Sequence, residues 1–267
     1  MVSFEENACR RLNQIGFSQR VCLEWLERTA NLVLAGNDDA AIYHDLQELL
    51  KDKLSIGGNA KRSNREKVIT ILMKIWVRPP HELLPLRREG LNLLAQLPRE
   101  EHIAIHWGMT MAAYPFWSNV AAQVGRLLRL QGSVTAGQVQ RRVRKHYGER
   151  DTVSRAVQRV LRSFVDWEVL KALSAAKGIY TAGLTRTIDQ VEVIAWLAEA
   201  FLHAYPHGSV VLRSLLDATS LFPFHLSYVP AAHLVAACDR IDVLRHGLDQ
   251  DLVMLRPERL LVAQKGE

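Results

Sequence analysis

The segment TVSRAVQRVLRSF, residues 152–164, carries the side chains of this chain best suited to chemistry. Ser154, Arg155, Gln158, Arg159 and Arg162 recur at helical spacing. On a helix advancing about 100° per residue they share one face, and Val153, Ala156, Val157, Val160, Leu161 and Phe164 share the other. Such a face recognises rather than makes or breaks bonds. A guanidinium pairs bidentately with guanine, a carboxamide pairs with adenine, and an α-helix fits the major groove of DNA.

The stretch before it adds Arg141, Arg142, Arg144 and Lys145. Between Gln138 and Phe164 eight Lys or Arg face two acids, Glu149 and Asp151, an excess equal to the +6 of the whole chain. Cations beside a reading helix neutralise phosphates and set register without reading bases. Lys171 and Lys177 lie further on, where they could reach the same backbone.

An Arg-rich face is also what any solvated helix presents, so the surrounding elements decide. Residues 116–130 read as a helix closed by Gly132. Ser133 or Thr135 caps a second, ending near Tyr147 and Gly148. Asp151 or Thr152 caps a third, running from Val153 to about Trp167. Two β-prone pieces, 168–173 and 178–181, then flank a turn of small residues. Three helices followed by a hairpin is the order of a winged helix-turn-helix, expected over residues 115–184.

Residues 1–114 read as a helical domain. Apolar spacing marks helices over 20–34, 40–50, 65–76, 89–97 and 100–113. A loop spans 55–64, and Pro79-Pro80 stops the third helix. Residues 185–267 repeat the winged pattern more weakly, with a helix over 190–204, a second capped by Ser209, a third over 229–238, and a hairpin turning at 247–249. Its third helix lacks the cationic face, which suits a structural or partner-binding role. The expected fold class is mainly α: an N-terminal helical domain, a winged helix-turn-helix, and a second winged-helix-like unit.

Other chemistry is thin. His102 and His106 stand four apart, a metal-ligand spacing, but no Cys or carboxylate follows at a matching turn. Asp166, Glu168 and Lys171 are poorly spaced for a nuclease. No phosphate-binding loop, dinucleotide fingerprint, zinc-protease helix or nucleophile elbow occurs. Lys61, Arg62, Arg65 and Lys67 form a small basic cluster that reads as a solvated helix start. The six Trp lie in apolar stretches and read as core. The three cysteines, Cys9, Cys22 and Cys238, are scattered, which argues against a disulfide framework. The apolar runs 68–77 and 191–202 are too short or too charged to span a bilayer, and the first residues hold no apolar signal core. The expectation is a cytoplasmic protein that is not an enzyme, with no cofactor, no metal and no membrane partner.

Three pieces of the sequence resemble the BrxA family of the BREX phage-exclusion systems. They are RLNQIGFSQRVCLEWLERTANLVLAG (11–36), REKVITILMKIW (65–76), and the block 116–170 containing SVTAGQVQRRV and TVSRAVQRVLRSFVDWEVL. The resemblance covers about the first two thirds of the chain, and the region beyond about 185 departs from it. It implies a mostly helical, DNA-binding protein acting beside a methyltransferase, an ATPase and other defence-system proteins. The expected partner is double-stranded DNA. A winged-helix transcriptional regulator and a protein–protein adaptor remain as alternatives, and the oligomeric state stays open.

Overall fold

The computed structural model describes residues 14–54, 63–173, 178–246 and 250–256. The chain is mainly helical with small sheets. Its first part contains α1 (Leu23–Leu34), α2 (Asp39–Leu49), α3 (Asn64–Leu72), α4 (Leu84–Gln96) and α5 (His102–Ala113). Every residue of α5 is buried. A helix apolar all round belongs at the centre of a fold, and α1 and α4 pack against it. The third helix is α-helical only to Leu72. It then widens into a π turn, Met73–Val77, closed by Arg78 N–H donating to the Met73 carbonyl at 2.7 Å ahead of the Pro pair.

The middle part runs α6 (Pro115–Gln131), β1 (Ser133–Thr135), α7 (Ala136–Tyr147), α8 (Asp151–Asp166), β2 (Leu170–Ala172) and β3 (Ile179–Ala182). The three strands form one antiparallel sheet in the order β1-β3-β2, with Val134 opposite Tyr180 and Leu170 opposite Ala182. Strand β1 is not evident from the sequence, where three residues offer too little alternation. Thr135 settles the first capping alternative: its hydroxyl accepts from Gln138 N–H at 3.1 Å, and Gln138 Oε1 accepts from Thr135 N–H at 2.9 Å. The second alternative fails on both residues. Arg150 is the N-cap of α8, with no side-chain cap, and Asp151 lies inside the first turn, where its charge opposes the helix dipole's positive end.

The last part follows through β4 (Arg186–Ile188), α9 (Val191–Ala204), β5 (Ser209–Val211), α10 (Leu212–Leu216), β6 (Phe224–Leu226), α11 (Ala231–Ala237), β7 (Ile241–His246) and β8 (Gln250–Leu255). Strands β5-β8-β7 repeat the order of the first sheet, all antiparallel. Strands β4 and β6 pair in parallel, with Ile188 opposite Leu226. Ser209 does not cap a helix. The β-branched Val210-Val211 carries it into β5, and Val211 precedes a helix of only five residues. The hairpin's expected turn at 247–249 lies outside the described residues, as do residues 55–62 of the expected loop.

One hydrophobic core runs through all three parts. Trp107 of α5 stacks on Phe164 of α8 at 5.0 Å and 21°, and meets Phe224 of β6 edge-on at 5.8 Å. Trp117 of α6 meets the same Phe164 at 4.6 Å and Phe17 at 5.0 Å. All six Trp are buried, as their apolar surroundings in the sequence predict. Two helical glycines allow close approaches. A Cβ at Gly108 of α5 would overlap the Trp196 ring of α9, and one at Gly125 of α6 would overlap the Thr219 carbonyl.

Candidate nucleic-acid interface

Helix α8 has the two faces its sequence predicts. Val153, Ala156, Val157, Val160, Leu161 and Phe164 are buried, together with Ser163. Arg155, Gln158 and Arg162 are exposed, while Ser154 and Arg159 are half-buried at the edges. Burying Val153, Val157, Val160, Leu161 and Phe164 contributes roughly 1.5–3 kcal/mol each before entropy is counted. That anchors the back of the helix while its polar front projects outward.

Two braces fix its position. At the first turn, Gln140 Nε2 of α7 donates to the Ser154 carbonyl at 3.3 Å. At the last turn, the extended segment before α1 clasps the helix. Ser163 Oγ accepts from Val21 N–H at 2.9 Å and donates to the Arg159 carbonyl at 3.1 Å. Trp167 Nε1 donates to the Val21 carbonyl at 3.0 Å, and Arg20 pairs with Asp166 at 3.1 Å. Neither Gln140 nor Ser163 stands out in the sequence, because each acts through a distant backbone group.

Helix α7 turns Arg141 and Lys145 to the surface, with Arg142 half-buried. With Gln138 and with Gln123, Leu127 and Gln131 of α6 they line a notch of about 480 Å³. Among the described residues, no carboxylate pairs with Arg141, Arg142, Lys145, Arg155, Arg159 or Arg162. Arg144 differs, because Glu149 holds its guanidinium at 3.2 Å. Lys171 is exposed on β2. Lys177 lies outside the described residues, and so do Lys61, Arg62 and Cys9.

The spaced His pair is engaged within the protein. Glu27 of α1 accepts from His106 Nε2 at 2.8 Å and from His102 Nδ1 at 3.0 Å. Trp76 Nε1 donates to His106 Nδ1 at 3.1 Å, so that ring is satisfied while neutral. His102 Nε2 faces the Leu97 carbonyl at 3.0 Å. Burial alone would raise the Glu27 carboxyl, but the hydrogen bonds and charge of His106 and His102 outweigh it and hold it at about 2. Burial keeps His106 below its ordinary range. Among the described residues no group of three or more ligand-type side chains could hold a metal ion. Asp166 is taken by Arg20, Glu168 is exposed at a backbone φ of 61°, and among the described residues neither is joined to Lys171 by a hydrogen bond or ion pair.

No family model, curated protein or solved structure matches the chain. Among the described residues no helix is long and apolar enough to cross a membrane.

Proposed function

We propose that the protein binds double-stranded DNA through residues 115–182, acting as a winged helix-turn-helix with α8 as the reading helix. The observation that carries this is the outer face of α8: Arg155, Gln158 and Arg162 exposed, Arg159 beside them, and no acidic partner among the described residues. The helix–strand–helix–helix–strand–strand order, with sheet order β1-β3-β2, supports the winged assignment. Arg141, Arg142 and Lys145 are the cations assigned to phosphates, and the Glu149 pair reduces the share of Arg144. Ser154 contributes at the edge of the reading face.

The second β5-β8-β7 unit presents Ala232, His233, Ala236 and Ala237 on the exposed side of α11, with no Lys or Arg. That composition favours a structural or protein-facing role for it, and leaves the first unit as the DNA reader.

The test is titration of fluorescent duplexes over a range of salt. Arg159→Ala with Arg162→Ala is expected to weaken binding and to flatten the salt dependence by about one unit of slope per lost phosphate contact. An unchanged isotherm for this double variant overturns the assignment. The biological setting, a non-enzymatic, cytoplasmic component of a BREX-type antiphage system, rests on the resemblance to the BrxA pattern alone. Genes for a methyltransferase and a large ATPase beside this one are what it requires.

A further inference from the structure

We propose that the notch between α6 and α7 binds a terminal phosphate group, that of a nucleic-acid strand end or of a free nucleotide. The assignment of Arg141, Arg142 and Lys145 to phosphates rests on the DNA-binding reading; which phosphate they hold follows from the notch itself. The notch has a volume of about 480 Å³, and its lining comes from α6 and α7 alone. At about 100° per residue, Gln138, Arg141, Arg142 and Lys145 fall within one arc of about 100° on α7. Gln140, which donates to the Ser154 carbonyl of α8, falls on roughly the opposite side. The notch therefore opens on the side of α7 turned away from α8, and it can be filled independently of the outer face of α8.

Three cations meet there without a counter-charge. Arg141 and Lys145 are exposed and Arg142 is half-buried. The lining holds no Asp or Glu, and among the described residues no carboxylate pairs with any of the three. Like charges three and four residues apart on a helix repel one another, and an anion between them relieves that repulsion. A backbone phosphodiester carries one negative charge. A terminal phosphate carries about 1.5–2 at neutral pH and offers three strong acceptor oxygens. Two guanidinium forks and an ammonium sharing one concavity match the terminal group better.

The rest of the lining suits what a terminal phosphate is attached to. Gln131 Nε2 of α6 donates to the Ser133 carbonyl at 2.8 Å and to Gln138 Oε1 of α7 at 3.2 Å, which braces the two helices across the notch. Leu127 is buried and supplies an apolar surface. Gln123 is half-buried and has no hydrogen-bond partner among the described residues, so its carboxamide is free to pair with a sugar hydroxyl or a base edge. The volume falls within the range of small-molecule sites, large enough for one nucleotide.

Two probes carry the group: a short single-stranded oligonucleotide with a phosphate on its 5′ end and a dye on its 3′ end, and deoxyadenosine monophosphate. Each is titrated into the full chain against its hydroxyl counterpart at matched salt, the first by fluorescence anisotropy and the second by calorimetry. At least one phosphorylated probe is expected to bind about tenfold tighter than its counterpart, the worth of one charged hydrogen bond. A gain for the oligonucleotide alone identifies a strand end as the source, and a gain for the monophosphate identifies a free nucleotide. Equal binding within both pairs overturns the proposal. Arg142→Ala with Lys145→Ala, and separately Gln123→Glu, which sets a carboxylate into the notch from α6, are expected to remove the gain. Lys51→Ala with Lys53→Ala takes away as much positive charge at exposed positions elsewhere and is expected to keep it. Loss of the gain in either notch variant, with this control unchanged, supports the site. A gain that persists in both notch variants, or that the control loses equally, overturns it. Duplex binding by Arg159→Ala with Arg162→Ala is scored apart from these probes, so each reading fails on its own measurement.

Discussion

Glu27 shows how much one half-buried carboxylate can carry. It joins α1 to α5 by accepting from two His rings whose next bonds go to Trp76 and to the Leu97 carbonyl. Its folded value of about 2 lies below the ordinary 4.5. Its contribution to stability is therefore complete above about pH 4.5 and is lost as pH falls toward 2. His106 adds to the loss in the same direction. Burial lowers its value, so the unfolded chain takes up that proton first as pH falls below about 6.5. Glu27→Gln is expected to cost about 1–3 kcal/mol at neutral pH, because His106 loses a charged acceptor in a dry site. The same variant should show a flatter fall in Tm between pH 4.5 and 2, measured by calorimetry. A variant as acid-sensitive as the parent removes Glu27 as a cause. The His pair was legible from its spacing, whereas Glu27 was not, since it lies 75 residues away from His102.

At the scale of the element, α8 has a buried face that stabilises the fold and an exposed face to which recognition is proposed. Leu161→Ala on the buried side is expected to cost about 2–5 kcal/mol, read from urea denaturation. Gln158→Ala on the exposed side should leave stability within about 0.5 kcal/mol while shifting the preference among duplex sequences. If Gln158→Ala destabilises as much as Leu161→Ala, the two-faced description of the helix is wrong. This division could be read from the sequence because sixteen residues of strict helical periodicity carry it. The ends of the helix could not. Its cap is Arg150 rather than Asp151 or Thr152, and its C-terminal brace comes from Val21 through Ser163 and Trp167. Local spacing reports which face is buried, but which distant backbone meets that face depends on the fold. Strands β1, β4 and β6 escaped for a related reason: three residues each are defined by their partners more than by their own pattern.

For the whole molecule, the proposed reading helix depends on residues far outside its own unit. The sequence divides naturally at about 114 and 184, yet Phe164 lies among Trp107 of α5, Trp117 of α6 and Phe222 from beyond β4. Trp107 in turn donates to the Ser220 carbonyl, and Trp196 of α9 donates to the Leu86 carbonyl of α4 at 2.9 Å. These contacts tie the first part to the last without passing through the middle. Large aromatic rings bury much of the apolar surface of a core, so a core whose rings come from all three parts should melt as a unit. Unfolding followed by Trp fluorescence and by far-UV circular dichroism is then expected to give coincident transitions. A fragment spanning residues 115–184 would keep the α8 sequence but lose Phe17, Trp107, Phe222 and the Val21 brace. That fragment is expected to give a collapsed amide NMR spectrum and to bind duplex DNA more weakly than the full chain at the same salt. A dispersed spectrum with full-strength binding would show that the unit folds and reads on its own, and that the shared aromatic core serves some other end.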